Sequence, residues 1–472
     1  MSEIPLMLER NDPRTLTEQL YDFLKAEILD GSLASKEKLP SKRMLAQSLK
    51  CSITTIQAAY NQLVDEGYLI AKEKSGYYVA ELSGIVHLGG AQGELPPGEK
   101  PSEQYRYDFS YHGVDFDHFP FQLWRRVMRE VVDERDRDLL RMGDAKGDLG
   151  LRTSIAHYLH QSRGVQCEPS QIVVSAGTEY LLQLLIQLLA ADTSYGIENP
   201  GYEKLSQLFR SSRIDCRPLA LDEQGLRVEA MEGQDVDVVC ITPSHQFPTG
   251  CIMTVARRLQ LLSWAAARSG RYIIEDDYDS EFRYAGKPIP SLQGMDRNGR
   301  VIYIGAFSKS LSPALRISYM VLPKLLCKTF DETMLFLNCP VPMIEQKVLA
   351  LFMQRGHFER HLNRMRNLYK QKREVLVDEI SKQLPSARIQ GSAAGLHLTI
   401  QVDNGMEEDV LETSAKQHGV NVYGLSRYYS ELSQGEMDGR VLLGFATIRI
   451  EEIADAVALL RAAWNQGSVV SQ

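Results

Sequence analysis

The chain has 472 residues, 44% hydrophobic and 24% charged, with a mean hydropathy of -0.24; these values exclude a fibrous or disordered class and require more than one domain. A net charge of -8 gives no general attraction to nucleic acid, and seven scattered cysteines without a C-x-x-C pair exclude a disulfide framework or a zinc site, as expected in a reducing cytoplasm. The opening MSEIPLMLERNDPR lacks the apolar core of a signal peptide, and no apolar run of roughly 18 residues exists to span a membrane.

The first 80 residues hold ten Lys/Arg against eleven Asp/Glu, yet Lys36, Lys38, Lys42, Arg43 and Lys50 crowd together against Glu37 alone. Thr15 and Glu18 form a capping box ahead of Leu16, Leu20, Phe23, Leu24 and Ile28 at helical spacing, and Gly31 closes that helix. Ser41 caps a second helix, with Met44, Leu45 and Leu49 expected to face inward. Ser52 caps a third, whose buried stripe is Ile56, Tyr60, Leu63 and Val64, and which Gly67 ends. Residues 68–71 and 77–79 flank the turn Lys74-Ser75-Gly76 and read as a hairpin. This is the order of an α+β winged helix-turn-helix, expected over residues 1–81. In such a fold the third helix enters the major groove, so Ser52, Thr54, Thr55, Gln57 and Asn61 are candidates at the DNA. Gln57 has the groups to read adenine bidentately. Lys42 and Arg43 would hold phosphates at the second helix, and Lys72 and Lys74 from the wing.

Residues 82–105 contain GIVHLGGAQGELPPGEKPSEQ, without apolar period, and read as a linker. Over 106–468 the apolar runs QIVVSAG, YGIENPG, VDVVCITP, YIIEDDY and VIYIGAF alternate with long helical patterns. That alternation predicts an α/β domain with a parallel sheet covered on both faces. Strand-bearing stretches at 387–402 and 420–448 predict a smaller C-terminal subdomain.

Three features fall at predicted strand ends, where open α/β folds bind ligands. Ser175-Ala176-Gly177-Thr178 opens a helix with free backbone N–H groups suited to a phosphate. Glu275-Asp276-Asp277-Tyr278-Asp279 crowds carboxylates that call for a cation, either a protonated pyridine nitrogen or a divalent metal. Lys309, between Ser308 and Ser310, can form a Schiff base with an aldehyde cofactor, and Arg316 can hold a phosphate.

NPGY (199–202), SHQFPTG (244–250), EDDYDSEF (275–282) and FSKSLSPALRISY (307–319) resemble the pyridoxal phosphate (PLP) site of fold-type I aminotransferases. LPSKRMLAQSL, TTIQAAYNQLVDEGYLI and KSGYYV are similar to the GntR-type winged helix. Together they resemble MocR/GabR-type regulators over essentially the whole chain. The resemblance implies that Lys309 anchors PLP, Asp276 pairs with the pyridine nitrogen, Tyr278 bonds the phenolic oxygen and Tyr202 stacks on the ring. It implies a phosphate site of Gly177, Thr178, Ser308 and Arg316, and a head-to-tail homodimer on a double-stranded operator with two half-sites.

The chain also departs from the family pattern. Phe247 stands where many aminotransferases have Asn, Ala306 where Ser or Thr is usual, and Leu442 where a carboxylate-binding arginine is found. Ile53 stands where relatives carry a basic residue. Lys204 and Arg440 are the substitute cations for an effector carboxylate, and His245 and His397 read as structural. The expected function is a PLP-dependent regulator that senses PLP or a small amino compound through Lys309. The alternatives are a working aminotransferase with a DNA tether, and a sensor of PLP alone; no metal is expected.

Overall fold

Thr15 accepts from the Glu18 backbone while Glu18 reaches back to Thr15, and this capping box starts α1 (Leu16–Leu29). In the computed structural model, residues 6, 8–9, 12–73, 75–81, 105–133, 137–231, 233–284, 289–430 and 439–465 are described. Lys74 and the linker up to residue 104 lie outside them. The chain divides into two units, Met1–Ser102 and Glu103–Gln472.

In the first unit, α1 is followed by α2 (Lys42–Ser48), α3 (Ile53–Asp65), β1 (Leu69–Lys72) and β2 (Gly76–Val79). The strands pair antiparallel from Leu69↔Val79 to Lys72↔Gly76. Leu20, Leu24, Ile56, Tyr60 and Leu63 form a fully enclosed core. Met44 departs from its expected inward position and is 43% exposed. Leu45 and Ala46 occupy the core arc of this short helix, and Met44 falls one step, about 100°, outside it.

The second unit opens with β3 (Tyr107–Asp108), α4 (Phe121–Asp133), α5 (Leu149–Arg163), β4 (Ile172–Ser175) and α6 (Thr178–Leu188). Next come β5 (Tyr195–Asn199), α7 (Glu203–Ser211), β6 (Cys216–Asp222), β7 (Gly225–Leu226), β8 (Val238–Ile241) and α8 (Val255–Ala266). β9 (Tyr272–Asp277), α9 (Leu292–Met295), β10 (Val301–Ala306), β11 (Ser318–Val321), α10 (Lys324–Thr333), α11 (Met343–Gln354) and α12 (His357–Gln383) follow. The chain then forms β12 (Ala387–Gln390), β13 (His397–Val402), α13 (Glu408–Gln417), β14 (Val420–Asn421), β15 (Tyr423–Gly424), β16 (Arg440–Gly444) and α14 (Ile450–Asn465).

Eight strands form one sheet in the order β4-β11-β10-β9-β8-β5-β6-β7. The predicted parallel pairing holds from β6 through β10. It fails at β11, which runs antiparallel to both β10 and β4. The chain leaves β10, makes the excursion that carries Lys309 and Arg316, and returns without the crossover helix that a parallel partner needs. The register Ser175↔Ser318 and Ala306↔Ser318 brings the exits of β4 and β10 to one edge, and Ile304↔Asp276 adds the exit of β9. The smaller sheet, β12-β13-β16-β15, shares a core with α12 and α14 that includes Tyr369, Leu376, Leu398, Leu443 and Trp464.

Candidate functional site

On α3, Ser52 Oγ accepts from the Thr55 backbone at 3.0 Å and lies 2.6 Å from Thr54 Oγ1 and 2.8 Å from Thr55 Oγ1. Capping therefore engages Ser52, Thr54 and Thr55, whereas Gln57 and Asn61 project from the exposed face opposite Ile56 and Leu63. Ile53 adds a 46% exposed apolar side chain to the first turn. Arg43 is exposed at the start of α2, and Lys42 lies over the Tyr77 ring at 5.7 Å. Lys72 on the wing sits 4.7 Å from the Tyr78 ring centroid.

In the second unit, one cavity of about 890 Å³, counting its open mouth, is lined by Thr178, Tyr202, Lys204, Asp276, Tyr278, Ser308, Lys309 and Arg316. Most of the predicted site residues thus meet in one place, drawn together from four separated segments. Gly177 lies directly behind the lining: a Cβ there would strike the Arg316 guanidinium and the Glu179 carboxylate. Its φ of 129° is a second reason for glycine. Arg440 is half-buried at the start of β16 and is not among the residues lining this cavity, whereas Lys204 is.

Lys309 Nζ donates to the Tyr111 carbonyl and lies 5.7 Å from the Tyr111 ring centroid. Burial lowers its pKa to about 8, only partly opposed by Asp279, so a sizeable share of the amine is neutral and nucleophilic near pH 8. Asp276 has no hydrogen-bond or ion-pair partner among the described residues. Its carboxyl is pushed up to about 7, by burial first and then by Asp277, Asp279, Glu179 and Glu198. A carboxylate in that condition is completed by a ligand that brings a positive N–H.

Tyr278 donates to the His245 carbonyl at 2.9 Å, and its hydroxyl lies 3.2 Å from His245 Nδ1, which is 3.0 Å from Asp279 Oδ2. His397 Nε2 lies 3.1 Å from the Pro248 carbonyl. His245, Asp279 and His397 have the spacing of a metal site, but His245 meets Asp279 through Nδ1 and the Gly391 carbonyl at 3.4 Å through Nε2, and His397 Nε2 meets the Pro248 carbonyl. Their buried bonds support the structural reading of the two histidines.

Four lining residues carried no sequence signal. Tyr111 and His112 enter from the segment after β3, Glu179 pairs with Arg316, and Thr242 donates to Glu198 at 2.6 Å. Glu198 is itself buried, with Oε1 unpartnered and its carboxyl pushed up to about 7 by burial. At the position of the carboxylate-binding arginine of many aminotransferases, Leu442 is fully buried with Phe247, Leu425 and Tyr428, against Tyr111, Tyr202 and Tyr278.

A lysine amine, an unpaired half-buried carboxylate, and an arginine beside a helix N-terminus suit a flat ligand with an aldehyde, a protonated ring nitrogen and an anionic end. The family of aminotransferases class I and II matches residues 114–458, and the gntR family of bacterial regulatory proteins matches 16–79. An uncharacterized HTH-type transcriptional regulator, YdeL of Bacillus subtilis, is 40% identical, with 98% of this chain and 100% of that protein covered. The probable rhizopine catabolism regulatory protein MocR of Rhizobium meliloti is 33% identical, over 97% and 96%. Among solved structures, the multiple substrate aminotransferase of Thermococcus profundus superposes with a TM-score of 0.68 at 23% identity, over 78% of this chain and 93% of its own. That likeness shows the fold. The chain belongs to the MocR/GabR-type transcription regulators, in which a GntR-type winged helix is joined to a fold-type I aminotransferase-like domain.

Proposed function

We propose that this regulator takes up PLP in the Lys309 cavity and that its hold on DNA responds to PLP or to a small amino compound. The observation that carries the reading is that an amine with a pKa lowered to about 8 and an unpartnered Asp276 line one cavity, in a chain that also has a winged helix. When bound, PLP supplies an aldehyde for covalent capture and an electron-withdrawing ring. Lys309 would form the covalent link, Asp276 would keep the ring nitrogen protonated, and Tyr278 would turn its single O–H from the His245 carbonyl to the phenolic oxygen. Tyr202 packs on the ring, and Gly177, Thr178, Ser308 and Arg316 hold the phosphate. Lys204 is the cation available to an effector carboxylate, being at the cavity as Arg440 is not.

The DNA partner is a double-stranded operator with two half-sites, met by a head-to-tail homodimer in the cytoplasm. Arg43, Lys42 and Lys72 contact phosphates, and Gln57 and Asn61 reach base edges. Lys74 joins them if the wing follows the backbone. The alternative, a working aminotransferase with a DNA tether, has the same Lys309 and Asp276 in its favour. The apolar enclosure of Leu442 favours the regulator, because it leaves no arginine there for a substrate carboxylate.

The test is chemical. PLP added to the full chain, followed by borohydride, is expected to fix the cofactor on the peptide containing Lys309, and Lys309→Ala is expected to abolish fixation. Fixation that persists in Lys309→Ala refutes the assignment. Transamination of a panel of amino acids and 2-oxo acids at ordinary enzyme rates, about 1 per second or more, would favour the alternative.

A further inference from the structure

The anion end of the cavity already contains an anion. Glu179, in the first turn of α6, accepts from Arg316 Nη2 at 2.9 Å through Oε2. Burial pushes its carboxyl up, but its own backbone N–H and Arg316 outweigh that and hold it below the usual range. The carboxylate therefore uses the two kinds of donor, a helix N-terminal N–H and a guanidinium, that a phosphate at this place would use. Gly177 makes the arrangement possible, since any side chain there would displace both partners. Arg316 is in the left-handed conformation at φ 49°, and its guanidinium meets Glu179 on α6.

We infer that Glu179 sets affinity and specificity in this site, as a built-in carboxylate that a ligand's phosphate has to displace. The inference rests on the PLP reading of the cavity. An incoming phosphate takes Arg316 from Glu179 and leaves two like charges side by side, which opposes binding. Both side chains are partly open to solvent, 49% for Arg316 and 38% for Glu179, so the penalty is moderate. It bears on the phosphate alone. A ligand with the same ring and aldehyde but no phosphate leaves the Arg316–Glu179 pair intact.

The experiment titrates the full-length wild-type chain and Glu179→Gln with PLP and with pyridoxal, which lacks the phosphate, following cofactor absorbance. Glu179→Gln keeps the size and a weaker contact to Arg316 while removing the charge. The expected result is a Kd for PLP lower by about tenfold in the variant, with pyridoxal affinity unchanged within about twofold. Glu179→Ala, checked by circular dichroism, is expected to move PLP affinity in the same direction. Weaker or unchanged PLP binding in folded variants overturns the inference, and so does an equal change for both ligands, because Glu179 would then only support Arg316 or the pocket. A wild-type chain that takes up neither ligand overturns the PLP reading and this inference together. Wild-type uptake of PLP with no tightening in the variants overturns this inference alone.

Discussion

On the proposed reading, Asp276 has opposite effects on the ligand-free protein and on the liganded one. Its raised pKa is a sign that the ionised carboxylate is poorly served when nothing cationic faces it. A carboxyl whose folded value is raised contributes stability that is full below its unfolded value of 3.8 and is lost as pH rises through about 7. Asp276→Asn should therefore stabilise the ligand-free protein at pH 8 by on the order of 1–2 kcal/mol, allowing for partial solvent access. The difference should shrink toward pH 4, and PLP uptake should weaken because the ring nitrogen loses its counter-charge. Thermal melts of the ligand-free proteins at both pH values check the first part; an Asn variant that melts lower at pH 8 contradicts it.

The helix ends of the DNA-binding unit were written locally. Thr15 with Glu18, Ser41 and Ser52 cap the three helices because a short polar side chain followed by apolar residues at helical spacing needs no distant partner. Ser52→Ala removes the acceptor for the Thr55 N–H and is expected to cost about 1 kcal/mol of stability in the winged-helix unit, read by denaturant unfolding. Gln57→Ala is expected to leave that stability unchanged and to weaken binding to a DNA site selected from a random pool more than binding to random DNA. Equal loss on both would make Gln57 a positioning residue rather than a reader of bases.

Strands were legible where an apolar run stood alone between helices, as at VIYIGAF. The antiparallel β11 was not, because SYMV is short and its direction is set by pairing with β4 and β10. For the same reason Lys309, Asp276, Thr178 and Arg316 could be gathered at strand ends in advance, but Tyr111, His112 and the Glu179–Arg316 pair could not. They depend on which strand exits lie side by side, and one sequence does not state that. Met44 shows the limit at the scale of a single turn, where hydrophobicity alone left it on the wrong side of α2.

At the scale of the whole molecule, a GntR-type fold and an aminotransferase-like fold share one chain, and regulation by a ligand requires that the two be energetically linked. A ligand can shift DNA binding only by the difference in its affinity for the DNA-competent and DNA-incompetent states, and the linkage is reciprocal. The apolar enclosure of Leu442 and Phe247 leaves the Lys309 cavity with the groups for capture but without the arginine expected of a transaminase. On the proposed reading, capture at Lys309 is the event that DNA binding responds to. The direct measurement is the Kd for a selected DNA site, with and without PLP, for the wild-type chain and Lys309→Ala, with cofactor absorbance followed in the same samples. The account predicts a shift of about fivefold or more in the wild type, in step with the absorbance, and none in Lys309→Ala. An equal shift in both proteins, or cofactor capture in the wild type with no shift at all, would contradict it.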